Sequence, residues 1–145
     1  MSRYEQFQAY RSKMNCRILG EDDERARIAG RGPNSPAPTG GTIVTKRFFR
    51  LDGQAYEPGA LSGPTKELLG LVASTVLRCD DCIAYHIDRS VALGLSDEEI
   101  FEALDIALIV GGSIVIPHLR RGVEFLDEAR LAPRDNSKDA TPRCH

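Results

Sequence analysis

No apolar run in the chain approaches the roughly 20 residues that cross a bilayer as a helix. The opening segment, "MSRYEQFQAYRSKMNC", is polar and lacks the apolar stretch of a secretory leader. A surplus of basic charge is missing as well. Nineteen Lys and Arg stand against 21 Asp and Glu, a net charge of −2, and the basic residues form no clear patch or run. That removes the electrostatic case for a nucleic-acid partner, and the lack of a span removes the case for a membrane one. Nor is there β-alternation of useful length between Gly63 and Leu131. What remains is a globular composition, 41% hydrophobic and 28% charged, with room for one core in 145 residues. The predicted setting is cytoplasmic and reducing. There, four cysteines do not make a disulfide framework. Cys16 and Cys144 stand alone near the two ends, whereas Cys79 and Cys82 form a C-x-x-C, more often redox or metal chemistry than structure.

Composition divides the chain into three regions. Residues 1–45 are an N-terminal extension: a short helix within 1–19, then "GEDDERARIAGRGPNSPAPTGG", a charged cluster running into a Pro/Gly/Ser-rich loop. Residues 46–131 are predicted to be the helical domain, and 132–145 a polar, flexible tail. "IVTKRFFRLDGQAYEPG" predicts a short helix with Phe48, Phe49 and Leu51 supplying apolar contacts, stopped by Pro58-Gly59. "SGPTKELLGLVASTVL" predicts the next, with Pro64 in its first turn. Leu68, Leu69, Leu71, Val72, Ala73 and Val76 cover more than half of its wheel and are expected inside; Glu67, Gly70, Ser74 and Arg78 form the remaining stripe. A helix from about Asp80 to Leu93 follows, with Ile83, Ile87 and Val91 inward and Gly94 as its stop. Ser96 and Glu99 have capping-box spacing for another, which places Ile100, Ala103, Leu104, Ala107 and Leu108 on its core side. Gly111-Gly112 ends it; following a helix and not a strand, this pair is no phosphate loop. A last helix, from about Ser113 to Ala129, has Pro117 early and turns Val123 and Leu126 inward. The fold class is all-α: a single-domain helical bundle with short connections.

The chemistry concentrates in "RCDDCIAYH", Arg78 to His86. A C-x-x-C at a helix start brings two thiols within disulfide reach, about 5 Å between Cα atoms. The unpaired N–H groups of a first helical turn favour thiolate, the form that reacts. Arg78 helps, and Asp80 and Asp81 oppose it. His86 follows Cys82 by four residues, so its ring reaches the same side of the helix and can act as a base. If the chain reverses near Arg78, Glu67 and His86 differ by about 8 Å in height at 1.5 Å rise per residue, so their contact is allowed without being required. Two plainer readings stand beside the redox one. The cysteines can be small buried hydrophobes, or Cys79, Cys82 and His86 can be three zinc ligands that lack a fourth nearby. Haem attachment is excluded in its usual form, because Ile83 occupies the place of the required histidine. His118 is read as structural, with no partner assigned.

"KELLGLVASTVLRCDDCIAYHIDRSVALGLSDEEIFEAL", followed by "GGSIVIPHL", resembles the carboxymuconolactone decarboxylase / alkylhydroperoxidase D family. The pattern is Glu, eleven residues, Cys, two residues, Cys, three residues, His, met here by Glu67, Cys79, Cys82 and His86, and the likeness runs from about Phe48 to Ala129. It implies an all-helical subunit of the alkylhydroperoxidase D-like type that assembles into trimers or hexamers. It further implies a thiol-dependent peroxidase in which Cys82 attacks a hydroperoxide, Cys79 donates a proton and resolves the sulfenic acid to a disulfide, and Glu67 with His86 relays protons. An external thiol resets the pair, and the cycle needs no metal or organic cofactor. One departure stands out: Asp81 holds the place where alkylhydroperoxidase D carries a second histidine. The alternatives are a lactone decarboxylase-like acid–base enzyme using His86 and Glu67, and a non-catalytic oligomeric scaffold or redox sensor.

Overall fold

From Ile43 to Leu131, caps and tight turns cut the chain into helices joined by short connections. The computed structural model describes residues 1–20 and 40–134. Residues 21–39 and 135–145, most of the expected loop and tail, lie outside the described residues. Among the described residues there are six α-helices: α1 (Arg3–Leu19), α2 (Ile43–Tyr56), α3 (Gly63–Val76), α4 (Asp80–Ala92), α5 (Asp97–Gly111) and α6 (Ile116–Leu131), with a 3₁₀ turn at Ser113–Val115. No strand occurs among the described residues, and no described helix is long and apolar enough to cross a membrane.

The chain forms two compact units. One joins Met1–Phe7 to Tyr56–Asp135; the other includes Gln8–Ala55. In the second, neither α1 nor α2 buries a residue. Phe48 and Leu51, expected to supply apolar contacts, are exposed at 66% and 63%.

The first unit carries the core and the chemistry. Helix α3 starts where the Ser62 side chain accepts the Thr65 N–H, with Pro64 in the first turn. It ends in a Schellman turn: the Arg78 N–H donates to the Thr75 carbonyl and the Cys79 N–H to the Ser74 carbonyl, both at 3.0 Å. That turn requires a left-handed residue, and Arg78 takes the position at φ 61°. Helix α4 ends in the same way, with Gly94 at φ 80° and the Leu95 N–H on the Ser90 carbonyl. Glycine occupies this conformation freely, whereas arginine does so against its Cβ. Helix α5 opens on the expected capping box, Ser96 and Glu99 each bonding the other's backbone N–H.

The core is a continuous cluster: Leu71 from α3, Ile83, Ile87 and Val91 from α4, Ile100 and Leu104 from α5, and Phe125, Leu126 and Ala129 from α6. Tyr4 and Phe7 set their rings against Phe125 at centroid distances of 5.5 and 5.4 Å, so the first residues of α1 pack on this unit.

One expectation is met only in part. Of the predicted apolar side of α3, Leu71 is fully buried in the core and Leu68 and Val72 pack against it half-buried, but Leu69 is 54% exposed and Ala73 is exposed. The buried residues are Gly63, Glu67, Gly70, Leu71, Ser74 and Thr75. The helix turns its small and polar stripe inward because that stripe meets polar groups of α4, described next.

Candidate functional site

Cys79 is the N-cap of α4, in extended conformation, and its side chain makes no capping bond. Cys82 lies in the first turn. The two are joined as a disulfide with Cα atoms 5.3 Å apart, Cys79 half-buried and Cys82 exposed. The i, i+3 spacing and the helix start together bring the sulfurs to bonding reach. Cys16, expected to stand alone, is not a free thiol.

One turn further along α4, His86 is 6% exposed and faces Glu67 of α3, which is 3% exposed. His86 Nδ1 is 2.8 Å from Glu67 Oε2. A carboxylate at that distance assigns the ring proton to Nδ1, which donates. Nε2 is then turned toward the Tyr56 hydroxyl, 3.4 Å away. The other carboxylate oxygen of Glu67 lies 3.8 Å from Arg89 Nε. Tyr56 and Tyr85 flank the imidazole, at centroid distances of 5.2 and 5.1 Å. Both ring nitrogens of His86 thus have a polar partner, and among the described residues no three metal-ligating side chains converge.

The close approach of α3 and α4 depends on Gly70. A Cβ there would lie 2.7 Å from both His86 Nε2 and the Tyr56 hydroxyl. The imidazole occupies the space that any side chain would fill, which accounts for a helix-interior glycine. All four residues singled out by spacing, Glu67, Cys79, Cys82 and His86, lie at this α3–α4 contact or at the start of α4. Tyr56 was missed because a tyrosine at the end of an exposed helix carries no local signal. Gly70 did carry one, since glycine inside a helical pattern marks a close approach.

Comparison with known proteins agrees with this architecture. The carboxymuconolactone decarboxylase family model matches residues 44–124, more than half of the chain and the whole span from Tyr56 to Arg121. The chain belongs to the carboxymuconolactone decarboxylase family. A Thermotoga maritima member, suggested to be involved in antioxidative response, is 56% identical; the likeness covers 87% of this chain and 91% of that one at a TM-score of 0.69. A further crystal structure from T. maritima superposes at a TM-score of 0.72 with 55% identity, over 88% of this chain and 95% of that one. A family protein of Legionella pneumophila, 22% identical at a TM-score of 0.63 over 86% of this chain and 97% of that one, shares the fold. An uncharacterized protein of the Paracoccus denitrificans cox locus is 27% identical over 88 residues, 61% of this chain and 79% of that protein.

In this carboxymuconolactone decarboxylase family chain a second polar cluster adjoins the disulfide. Asp80, between the cysteines, reaches α6: its Oδ1 is 2.8 Å from His118 Nδ1 and its Oδ2 accepts from Arg121 Nε at 2.9 Å. Arg121 Nη2 also lies 3.0 Å from His118 Nδ1. The short carboxylate contact places the proton on that nitrogen, so the Arg121–His118 approach is two donors side by side, held together by Asp80. Burial pushes the Asp80 carboxyl up, but the hydrogen bonds and charges of His118 and Arg121 outweigh it and hold the group below the usual aspartate range. His118, to which sequence reasoning gave no partner, therefore has one 38 residues away.

Proposed function

We propose that the protein is a thiol-dependent hydroperoxide reductase. The observation that carries this reading is the closed Cys79–Cys82 pair at a helix start, with the more exposed sulfur one turn from a buried carboxylate–imidazole pair. In the reduced enzyme the Cys82 thiolate attacks the terminal oxygen of a hydroperoxide. The O–O bond breaks, sulfur is oxidised by two electrons to sulfenic acid, and the leaving alkoxide takes a proton to become an alcohol. The Cys79 thiol then attacks Cys82 sulfur; the S–S bond forms and water leaves. An external dithiol reduces the disulfide and becomes a disulfide itself. Glu67 holds the Nδ1 proton of His86, which leaves Nε2 and the Tyr56 hydroxyl as the proton-carrying end of the relay. The antioxidative role suggested for the T. maritima relative points the same way. The cycle uses no metal or organic cofactor, and we assign it to the cytoplasm.

Self-association is part of the proposal. Leu69, Leu77, Ile106, Ile109, Val110 and Ile114 are each more than half exposed on the core-bearing unit, apolar side chains that a second copy would cover. A trimer or hexamer of this chain is the expected occupant.

The test is intact mass and thiol titration before and after one equivalent of hydroperoxide, under metal-free conditions, for wild type, Cys79→Ser and Cys82→Ser. The wild type is expected to lose two hydrogens, two protons with two electrons, as its disulfide closes, with sulfenic acid trapped only when Cys82 remains. Two unreactive thiols would sink the reading. The Glu67–His86 pair is assembled independently of the sulfurs, which favours as a second reading an acid–base enzyme acting on a cyclic carboxylate. Turnover of such a lactone by Cys82→Ser would establish that one instead.

A further inference from the structure

Whether a cysteine at the start of α4 ionises readily depends on opposing neighbours. The first-turn N–H groups favour thiolate. Asp80, adjacent to Cys79 and two residues before Cys82, brings a negative charge that opposes it. A bare carboxylate there would offset the helix terminus. This one is not bare: each of its oxygens meets a donor from α6 at 2.8 or 2.9 Å, and a guanidinium is always cationic.

We infer that Arg121, with His118, is a positioning residue for the redox pair: its cation, held on Asp80, cancels the carboxylate between Cys79 and Cys82 so that thiolate forms beside a neutral ion pair. The inference rests on Cys79 and Cys82 being redox-active and deepens that reading. The other charged groups near the start of α4 do not substitute for Arg121. Asp81 and Arg78 are both exposed and screened by solvent. Glu67 is turned to His86 and Arg89, further along the helix. The contact also gives α6 a part in the site that the 38- and 41-residue separations hide.

A unit charge roughly 8 Å from a sulfur, at an effective dielectric constant of about 40, changes the thiolate fraction about three- to tenfold. The experiment is the pH dependence of iodoacetamide alkylation of the reduced full-length protein, followed by intact mass. Wild type is compared with Arg121→Gln, Arg121→Lys, Asp80→Asn and the Asp80→Asn/Arg121→Gln double variant, each checked for helix content. Arg121→Gln is expected to slow alkylation about three- to tenfold at neutral pH and to shift the profile upward. Arg121→Lys keeps the charge and most of the rate. Asp80→Asn shifts the profile downward, and the double variant returns near wild type. If Arg121 only braces α4 against α6, Asp80→Asn breaks the same brace. Both single variants then shift in the same direction and the double is no better than Arg121→Gln, which overturns the inference. Hydroperoxide consumption by the same samples separates the two readings. Alkylation that follows the charge pattern without peroxide turnover sinks the peroxidase and leaves the charge cancellation standing.

Discussion

Gly70→Ala gives the sharpest test of the site's architecture, because two effects of opposite sign compete there. In an unconstrained helix interior, alanine is better than glycine by about 1 kcal/mol. Gly53 of α2 is such a place, with nothing within 4 Å of an added Cβ. Gly53→Ala should therefore stabilise the protein by about that amount, or roughly 3 °C in Tm for a chain of this size. At Gly70 the same methyl would lie 2.7 Å from His86 Nε2 and from the Tyr56 hydroxyl, well inside ordinary contact. The tyrosine hydroxyl can swing away. The imidazole cannot, since Nδ1 is held on a buried carboxylate at 2.8 Å. Relief therefore means overpacking strain of about 1–3 kcal/mol, or breaking a charge-assisted hydrogen bond and leaving Glu67 poorly partnered, at a similar cost. After subtracting the helix-propensity gain, Gly70→Ala should come out about 0–2 kcal/mol less stable than wild type, against a gain at Gly53. Urea unfolding of wild type and both variants, oxidised and at one pH, measures the difference as a shift in midpoint at constant slope. A Gly70→Ala variant stabilised like Gly53→Ala would refute the account of how His86 is seated.

Other expectations follow from single positions. Arg78→Gly relieves a left-handed arginine and should stabilise the oxidised protein by about 1 kcal/mol in the same unfolding assay; a loss would mean that the Arg78 side chain contributes more than its backbone costs. Ser96→Ala removes half of a capping box and should cost about 1 kcal/mol, and Ser96→Asp should recover most of it. Asp80 has a folded-state pKa below its unfolded one, so its pairing stabilises the protein above the usual aspartate range and the benefit disappears as pH falls through the lowered value. Thermal melts of wild type and Asp80→Asn should therefore converge in acid and separate toward neutrality; curves that stay parallel throughout would contradict the pairing.

The local sequence determined the helix limits, because caps and turns act within a few residues. Pro64, Gly94, the Ser96–Glu99 box and Gly112 all mark boundaries where they were expected. The C-x-x-C was legible for the same reason: one helical turn separates its cysteines whatever the rest of the chain does. The spacing of Glu67 and His86 marked them as candidates, but not as partners in contact. Helix orientation was beyond a hydrophobic wheel. By count of apolar residues α3 should bury Leu68, Leu69, Leu71 and Val72; only Leu71 is fully buried, beside Glu67, Gly70 and Ser74, while Leu69 is exposed. Hydrophobic burial is non-directional, and here it was outweighed by a directional bond between two buried polar groups that neither helix could satisfy alone. The same holds for Tyr56 against His86 and for Asp80 with His118 and Arg121, contacts spanning 30 to 41 residues. The reactive groups and the helices that carry them were thus set locally by the sequence. Which polar groups meet was decided by tertiary packing alone, since a hydrogen bond acts over about 3 Å and only the folded chain brings distant helices that close.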